Sequence, residues 1–221
     1  TEGTGENSKV FRNIICTKSG KGEQFVICGS HYDTKTLKEF PEFTGANDGA
    51  SSTALLMQVM KQIAGSPLWK SNCEIRFVFF DGEEALIDYT STDGLNGSHR
   101  YASQIYSPNE HLKCRAMLLL DMIGDKDLKL TIPTNSDKKL IDKTLRTAKR
   151  LNLSEYAEVY EAPSFYDDHV PFLSLGIPSI DFIDFKYGPK DPKSAGGAFW
   201  HTGKDTIDKL SADSLTKVGN L

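Results

Sequence analysis

Asp81, Glu83 and Glu84 stand together at the end of an apolar, aromatic and β-branched run formed by Ile75, Phe77, Val78, Phe79 and Phe80. The run reads as a buried strand that stops abruptly at Asp81-Gly82-Glu83-Glu84. Carboxylates crowded at the carboxyl end of a buried strand repel one another and resist desolvation unless a cation neutralises them. In open α/β sheets the same strand end is where ligands bind. Two adjacent glutamates can divide the chemistry, one holding a metal and the other moving protons. The alternative is a solvated strand-to-helix turn whose acids sit near a helix start.

The remaining candidates are scattered. His31-Tyr32-Asp33 follows the apolar segment ending at Cys28, and Asn47-Asp48 precedes the first helical pattern. Asp121 closes another strand-like run, and Trp200-His201-Thr202 follows a glycine-rich loop. Mixed imidazole and carboxylate ligands of this kind suit zinc in a catalytic site with an open position. Taken singly, each has a structural reading: Asp48 as a helix cap, Asp121 as the start of a turn, His31 or His201 as a solvated side chain. Their joint placement at strand ends favours the ligand set.

The elements that must position them alternate. Strands are expected over Val10 to Cys16, Gln24 to Cys28, Cys73 to Phe80, Cys114 to Leu120, Asp127 to Ile132 and Pro178 to Ile183. Helices are expected over Ala50 to Ile63, Gly97 to Ile105, Lys138 to Leu151, Val170 to Leu175 and Ala212 to Leu221. Ser51 or Ser52 is a candidate cap for the first of these helices, and Gly65 closes it. This order predicts a three-layer α/β/α arrangement with a mixed, largely parallel central sheet covered on both faces. Thr34 to Gly45 and Tyr187 to Gly197 read as long loops, which at the rim of such a sheet shape an active site.

Bulk properties exclude several classes. The 221 residues suit one α/β domain spanning 1–221, and the abrupt start at Thr1-Glu2-Gly3 together with an end inside a helical pattern reads as trimming at both termini. A net charge of −4 argues against nucleic acid as partner. No apolar run approaches the roughly 20 residues needed to span a bilayer. Cys16, Cys28, Cys73 and Cys114 show no paired spacing and read as small buried residues, with a disulfide between two of them left open.

The chain resembles the zinc-dependent exopeptidase and glutaminyl cyclase family from about His31 to its carboxyl end. The motifs, in the family's order, are His31-Tyr32-Asp33, Gly45-Ala46-Asn47-Asp48-Gly49, Phe80-Asp81-Gly82-Glu83-Glu84, Leu120-Asp121-Met122-Ile123-Gly124, Asp168-His169-Val170-Pro171-Phe172 and Trp200-His201-Thr202. The resemblance implies that Asp48, Glu84 and His201 bind zinc and that Glu83 is the general base and acid. In the aminopeptidase branch His31 and Asp121 complete a second zinc site with Asp48 bridging, whereas the cyclase branch works with one zinc. It further implies a peptide or protein substrate with a free amino terminus, and an extracellular or periplasmic location; the chain is expected to be a monomer.

Three features lean toward the cyclase branch. An insertion, Leu86 to Asn96, separates the glutamate pair from the next helix. Asp167 precedes Asp168, where aminopeptidases commonly carry serine, and in cyclases a carboxylate at the position of Asp167 hydrogen-bonds with the one at Asp121, so the resemblance implies that pair here. Trp200 directly precedes His201 and would wall the substrate pocket, although core filling is its other reading. Asp167 and Asp168 also read as caps for the helix entering Pro171. Two departures stand against the animal cyclases: Tyr89, a candidate substrate contact, replaces their tryptophan, and Ser30 replaces their cysteine before His31.

Overall fold

The computed structural model describes residues 9–66, 70–90, 92–160 and 165–221, so Ser91 of the Leu86–Asn96 insertion lies outside the described residues. Among the described residues seven strands form: β1 (Ile14–Lys18), β2 (Phe25–His31), β3 (Glu74–Phe80), β4 (Cys114–Asp121), β5 (Leu130–Pro133), β6 (Ala157–Tyr160) and β7 (Ser179–Ile183). The α-helices are α1 (Ala50–Gly65), α2 (Asn96–Tyr106), α3 (Lys138–Arg150), α4 (Val170–Leu173) and α5 (Ala212–Asn220). The main sheet has the order β1-β3-β2-β4-β7, with β1 antiparallel and the other neighbours parallel.

Strand alternation sorts the apolar side chains into two layers. Phe25 and Ile27, Val78 and Phe80, and Met117 and Leu119 pack against Tyr101 and Ile105 of α2 and Phe172 of α4. Their sequence neighbours Val26, Cys28, Phe77, Phe79, Leu118 and Leu120 turn to the opposite face, toward Leu55, Leu56 and Val59 of α1 and Val218 of α5. Helices thus cover both faces of a mixed, mostly parallel sheet, the arrangement expected from the alternating pattern.

The strand order creates the crevice. From the central β2 the chain proceeds to β3 on one side and, later, to β4 on the other, so the helices that follow diverge and leave a gap at the strand ends. His31 is in register with Phe80, and Asp121 with Ile183, so four parallel strands terminate at one edge. The turn at 81–84, His31 and Asp121 therefore emerge side by side.

Several boundaries differ from the sequence reading. β1 begins at Ile14, where pairing with Phe79 starts, and leaves Val10 outside it. β6, which no sequence pattern signals, pairs in parallel with β5. Neither Ser51 nor Ser52 caps α1. Gly49 holds the cap position, and the two hydroxyls donate back to the carbonyls of Asn47 (2.7 Å) and Gly49 (3.2 Å). All four cysteines carry free thiols. Among the described residues no helix is long and apolar enough to cross a membrane.

Phe172 is fully buried, with its ring 6.0 Å from Phe80 and 6.2 Å from Tyr101. Phe172→Ala is expected to lower the unfolding free energy by about 3–5 kcal/mol in urea denaturation. A loss below about 1 kcal/mol would show that this layer does not hold the sheet.

Candidate active site

Asp48 lies in the loop that enters α1, and that loop is braced from three directions. Asp205 accepts from the backbone N–H of Asn47 at 2.7 Å and of Asp48 at 3.2 Å, and from the Tyr187 hydroxyl at 2.7 Å. The Asn47 amide donates to the Met122 carbonyl (3.2 Å) and accepts from Gly124 N–H (2.7 Å), tying the loop to the end of β4. Gly49 has φ of 96°, and a Cβ there would meet Asp33 O at 2.9 Å and His31 Cε1 at 3.0 Å. Only glycine lets the helix start this close to His31.

Asp33 performs the matching task for the glutamates. Its two carboxylate oxygens accept from Glu83 N–H (3.2 Å) and Glu84 N–H (3.1 Å), fixing the turn after β3. One of them also faces His31 Nδ1 at 3.7 Å. Asp33 and Asp205 act through backbone N–H groups, a role with no sequence signature beyond, for Asp33, its place beside His31.

Two donor sets result, sharing Asp48. His201 Nε2 lies 3.1 Å from Glu84 Oε1 and 3.2 Å from Asp48 Oδ2. His31 Nε2 lies 3.1 Å from Asp121 Oδ1 and 3.3 Å from Asp48 Oδ1. A ring nitrogen offers one lone pair or one hydrogen, so it cannot satisfy two carboxylate oxygens from separate segments. Asp48 Oδ2 and His31 Nδ1 are buried without a hydrogen-bond partner. A small tetrahedral cation with bonds of about 2.0–2.2 Å keeps its donors about 3.3–3.6 Å apart, close to the spacing found here. The residues fit a divalent ion at Asp48, Glu84 and His201, and the set His31, Asp48, Asp121 forms a second candidate.

The electrostatics agree. Burial pushes the Glu83 carboxyl well above the ordinary carboxylate range; nearby Glu84, Asp167 and Asp168 push the same way, against His31. Burial and then Asp121 do the same to Asp167. Asp168, also buried, rises to about 7. Asp48 is the exception: burial would raise it, but both histidines hold it below the usual range. Burial alone would lower His201, yet Asp48 and Glu84 raise it to about 9. These are the shifts of a cluster short of positive charge.

A cavity of about 390 Å³ opens on this cluster, with Asp48, Glu83, Glu84, Asp121, Asp167 and His201 at its polar end. Trp200 stacks on His201 with centroids 4.0 Å apart and meets Phe185 edge-on at 5.3 Å, so it forms a wall of the cavity as well as packing. Tyr89 lines the cavity with its hydroxyl against the glutamates. Asp121 faces His31, while Asp167 accepts from Asp168 N–H at 2.5 Å. The cap of α4 is His169, with no side-chain cap bond, so neither Asp167 nor Asp168 serves that purpose.

Comparison with known proteins decides the family. The sequence profile of peptidase family M28 matches residues 13–221. The chain belongs to peptidase family M28. It is similar to the crystal structure of an Acidobacteriales bacterium glutaminyl cyclase (37% identity, TM-score 0.86, covering 95% of this chain and 70% of that one). It is also similar to a Zn-dependent exopeptidase from Parabacteroides distasonis (25% identity, TM-score 0.77, 95% and 75% covered). The glutaminyl-peptide cyclotransferase of Drosophila melanogaster is 27% identical over 94% of this chain. The chain spans 63% of the length of that relative and 59% of the glutaminyl-peptide cyclotransferase from Dictyostelium discoideum.

Two predictions follow from the geometry. Asp33→Ala should weaken divalent-ion affinity about 10- to 100-fold, because its bonds orient the turn that carries Glu84; unchanged affinity in equilibrium dialysis would contradict this. The second concerns protein stripped by chelator. Folded Asp168 keeps its proton to about 7 and His201 to about 9, whereas unfolded chains release these near 4 and 6.5. Asp184 is likewise raised to about 7, and it offsets buried His169, which is lowered to about 4 and acts in the opposite sense between about 4 and 6.5. The folded state on balance binds more protons, and its stability should fall as pH rises from about 5 to about 9. Asp48, shifted downward, contributes a constant amount across that window. A stripped protein whose Tm climbs between about pH 5 and about pH 8.5 would overturn this, and saturating divalent ion should shrink the decline because the ion needs deprotonated ligands.

Proposed function

We propose that residues 1–221 are a zinc-dependent catalytic domain acting at peptide amino termini, a glutaminyl-peptide cyclotransferase that converts N-terminal glutamine to pyroglutamate and releases ammonia. The observation that carries the reading is the division between neighbouring glutamates. Glu84 converges with Asp48 and His201 on one ion site, while Glu83 stays outside that donor set and faces the cavity. Similarity to glutaminyl cyclases over nearly the whole chain supports the substrate class. A Zn-dependent relative and the mixed nitrogen and oxygen donors support zinc as the ion.

Asp48, Glu84 and His201 would hold zinc, which supplies Lewis acidity at the substrate's side-chain carbonyl. Glu83 takes a proton from the α-amine as its nitrogen bonds to the side-chain carbonyl carbon. The carbon–nitrogen bond of the side-chain amide breaks, and Glu83 returns the proton to the departing ammonia. Asp121 and Asp167 line the same cavity, where they would hold the protonated groups of the intermediate. Trp200 and Tyr89 wall the substrate side chain so that amine and amide stay close, and holding them near attack geometry supplies much of the rate.

A di-zinc aminopeptidase is the second reading, favoured by the completeness of the set His31, Asp48, Asp121. There Glu83 would activate water as the nucleophile. Under the cyclase reading the His31–Asp121 contact at 3.1 Å occupies the place of a second ion.

Incubation with a Gln-peptide and with Leu-amide separates the two readings. Ammonia and pyroglutamate are expected, with one zinc per chain. Leucine release without pyroglutamate, and two zinc ions per chain, would establish the aminopeptidase instead. Glu83→Gln should cut kcat by about 10²–10⁴-fold while retaining zinc, as removal of a general base does; loss of the metal would exchange the roles of the two glutamates.

A further inference from the structure

The Tyr89 hydroxyl stands between the two glutamates. Its oxygen lies 3.1 Å from each carboxylate oxygen of Glu83 and 3.1 Å from Glu84 Oε2. A phenol carries one hydrogen, so it donates to one carboxylate oxygen at a time while its lone pairs accept from another group. Glu84 turns its other oxygen, Oε1, toward His201 and the ion site.

One phenolic hydrogen thus serves three carboxylate oxygens, two of Glu83 and one of Glu84, and the hydroxyl ties the two side chains to each other.

The surrounding loop is built to hold this ring. Asp93 accepts from the N–H groups of Leu86 (2.7 Å), Ile87 (2.9 Å) and Asp88 (3.3 Å), curling the chain just before Tyr89. Gly94, at φ of 89°, packs so closely that a Cβ there would sit 2.6 Å from Tyr89 Cδ1. Lys35 Nζ lies 5.3 Å from the ring centroid, donates to Ala85 O at 2.7 Å, and faces Glu84 Oε2 at 3.5 Å. A ring that served only as a cavity wall would not need its hydroxyl at the meeting point of two carboxylates.

We propose that Tyr89 is a positioning residue whose hydroxyl holds the Glu83 carboxyl group in place and fixes the distal oxygen of the ion ligand Glu84. The inference rests on the glutamate roles given under the proposed function and holds for the cyclase and the aminopeptidase alike.

Tyr89→Phe removes the hydroxyl and keeps the ring. Its steady-state kinetics should be measured in the zinc-loaded chain on whichever amino-terminal substrate the unmodified protein turns over. Its zinc affinity should be measured without substrate, by competition with a chromophoric chelator. The expected result is a kcat lower by about 10- to 100-fold with KM within about twofold, together with a zinc dissociation constant raised about tenfold, the size of effect seen when outer partners of a metal ligand are lost. Tyr89→Leu, which removes ring and hydroxyl together, should add a rise in KM to the same loss in kcat. An unchanged kcat, a rise in KM alone, or a zinc affinity within about twofold of the unmodified chain would each overturn the proposal and leave Tyr89 as a wall. Release of leucine in place of ammonia by the unmodified protein would refute the cyclase reading and leave this test standing.

Discussion

Asp48 is the group on which the rest of the site depends. Its two oxygens face different histidines, His201 at 3.2 Å and His31 at 3.3 Å, and those histidines in turn face Glu84 and Asp121. Five ionisable groups from distant segments therefore crowd into a buried space, with Glu83 and Asp167 beside them. Carboxylates so placed are costly unless positive charge meets them, and two imidazoles cannot neutralise the whole set. A divalent cation would resolve the conflict, and the fold brings candidate donors for one together.

The delivery works because parallel strands end together. β2, β3 and β4 bring His31, the 81–84 turn and Asp121 to one rim, and the reversal of strand order at β2 opens the space between them. Loop segments complete the set and are held by two acids, the half-buried Asp33 and the buried Asp205, that bind backbone N–H groups rather than an ion. Asp33 grips Glu83 and Glu84 in this way, and Asp205 grips Asn47 and Asp48. Rigid donors of this kind suit a site in which small displacements of a ligand are expensive.

Much of this was legible in the chain, for identifiable reasons. The change from Phe79-Phe80 to Asp81 marks a strand end because burial and charge cannot continue together, and the same logic located Asp121. Asp48, Glu84 and His201 stood out because motifs in a fixed order carry them. Less visible were features set by tertiary contact. β6 is a four-residue strand, too short for alternation to register, and it exists because β5 is there to pair with it. Ser51 and Ser52 looked like caps, but Gly49 at a positive φ takes that position and turns both hydroxyls to carbonyls. Asp205 bonds to backbone, which any acidic residue can do, so no spacing announces it. The hydroxyl of Tyr89 is informative only once the loop folded by Asp93 has placed it.

The contrast between one ion and two turns on a small difference at His31. A direct His31–Asp121 contact and a second bound cation are competing ways to meet the same charge. Both depend on the prior claim that a metal sits among Asp48, Glu84 and His201. Anomalous diffraction at the zinc absorption edge, from crystals of the zinc-loaded protein, tests that claim most directly. A strong anomalous peak within bonding distance of Asp48, Glu84 and His201 is the result expected. An absent peak, or one away from these three side chains, would contradict the account.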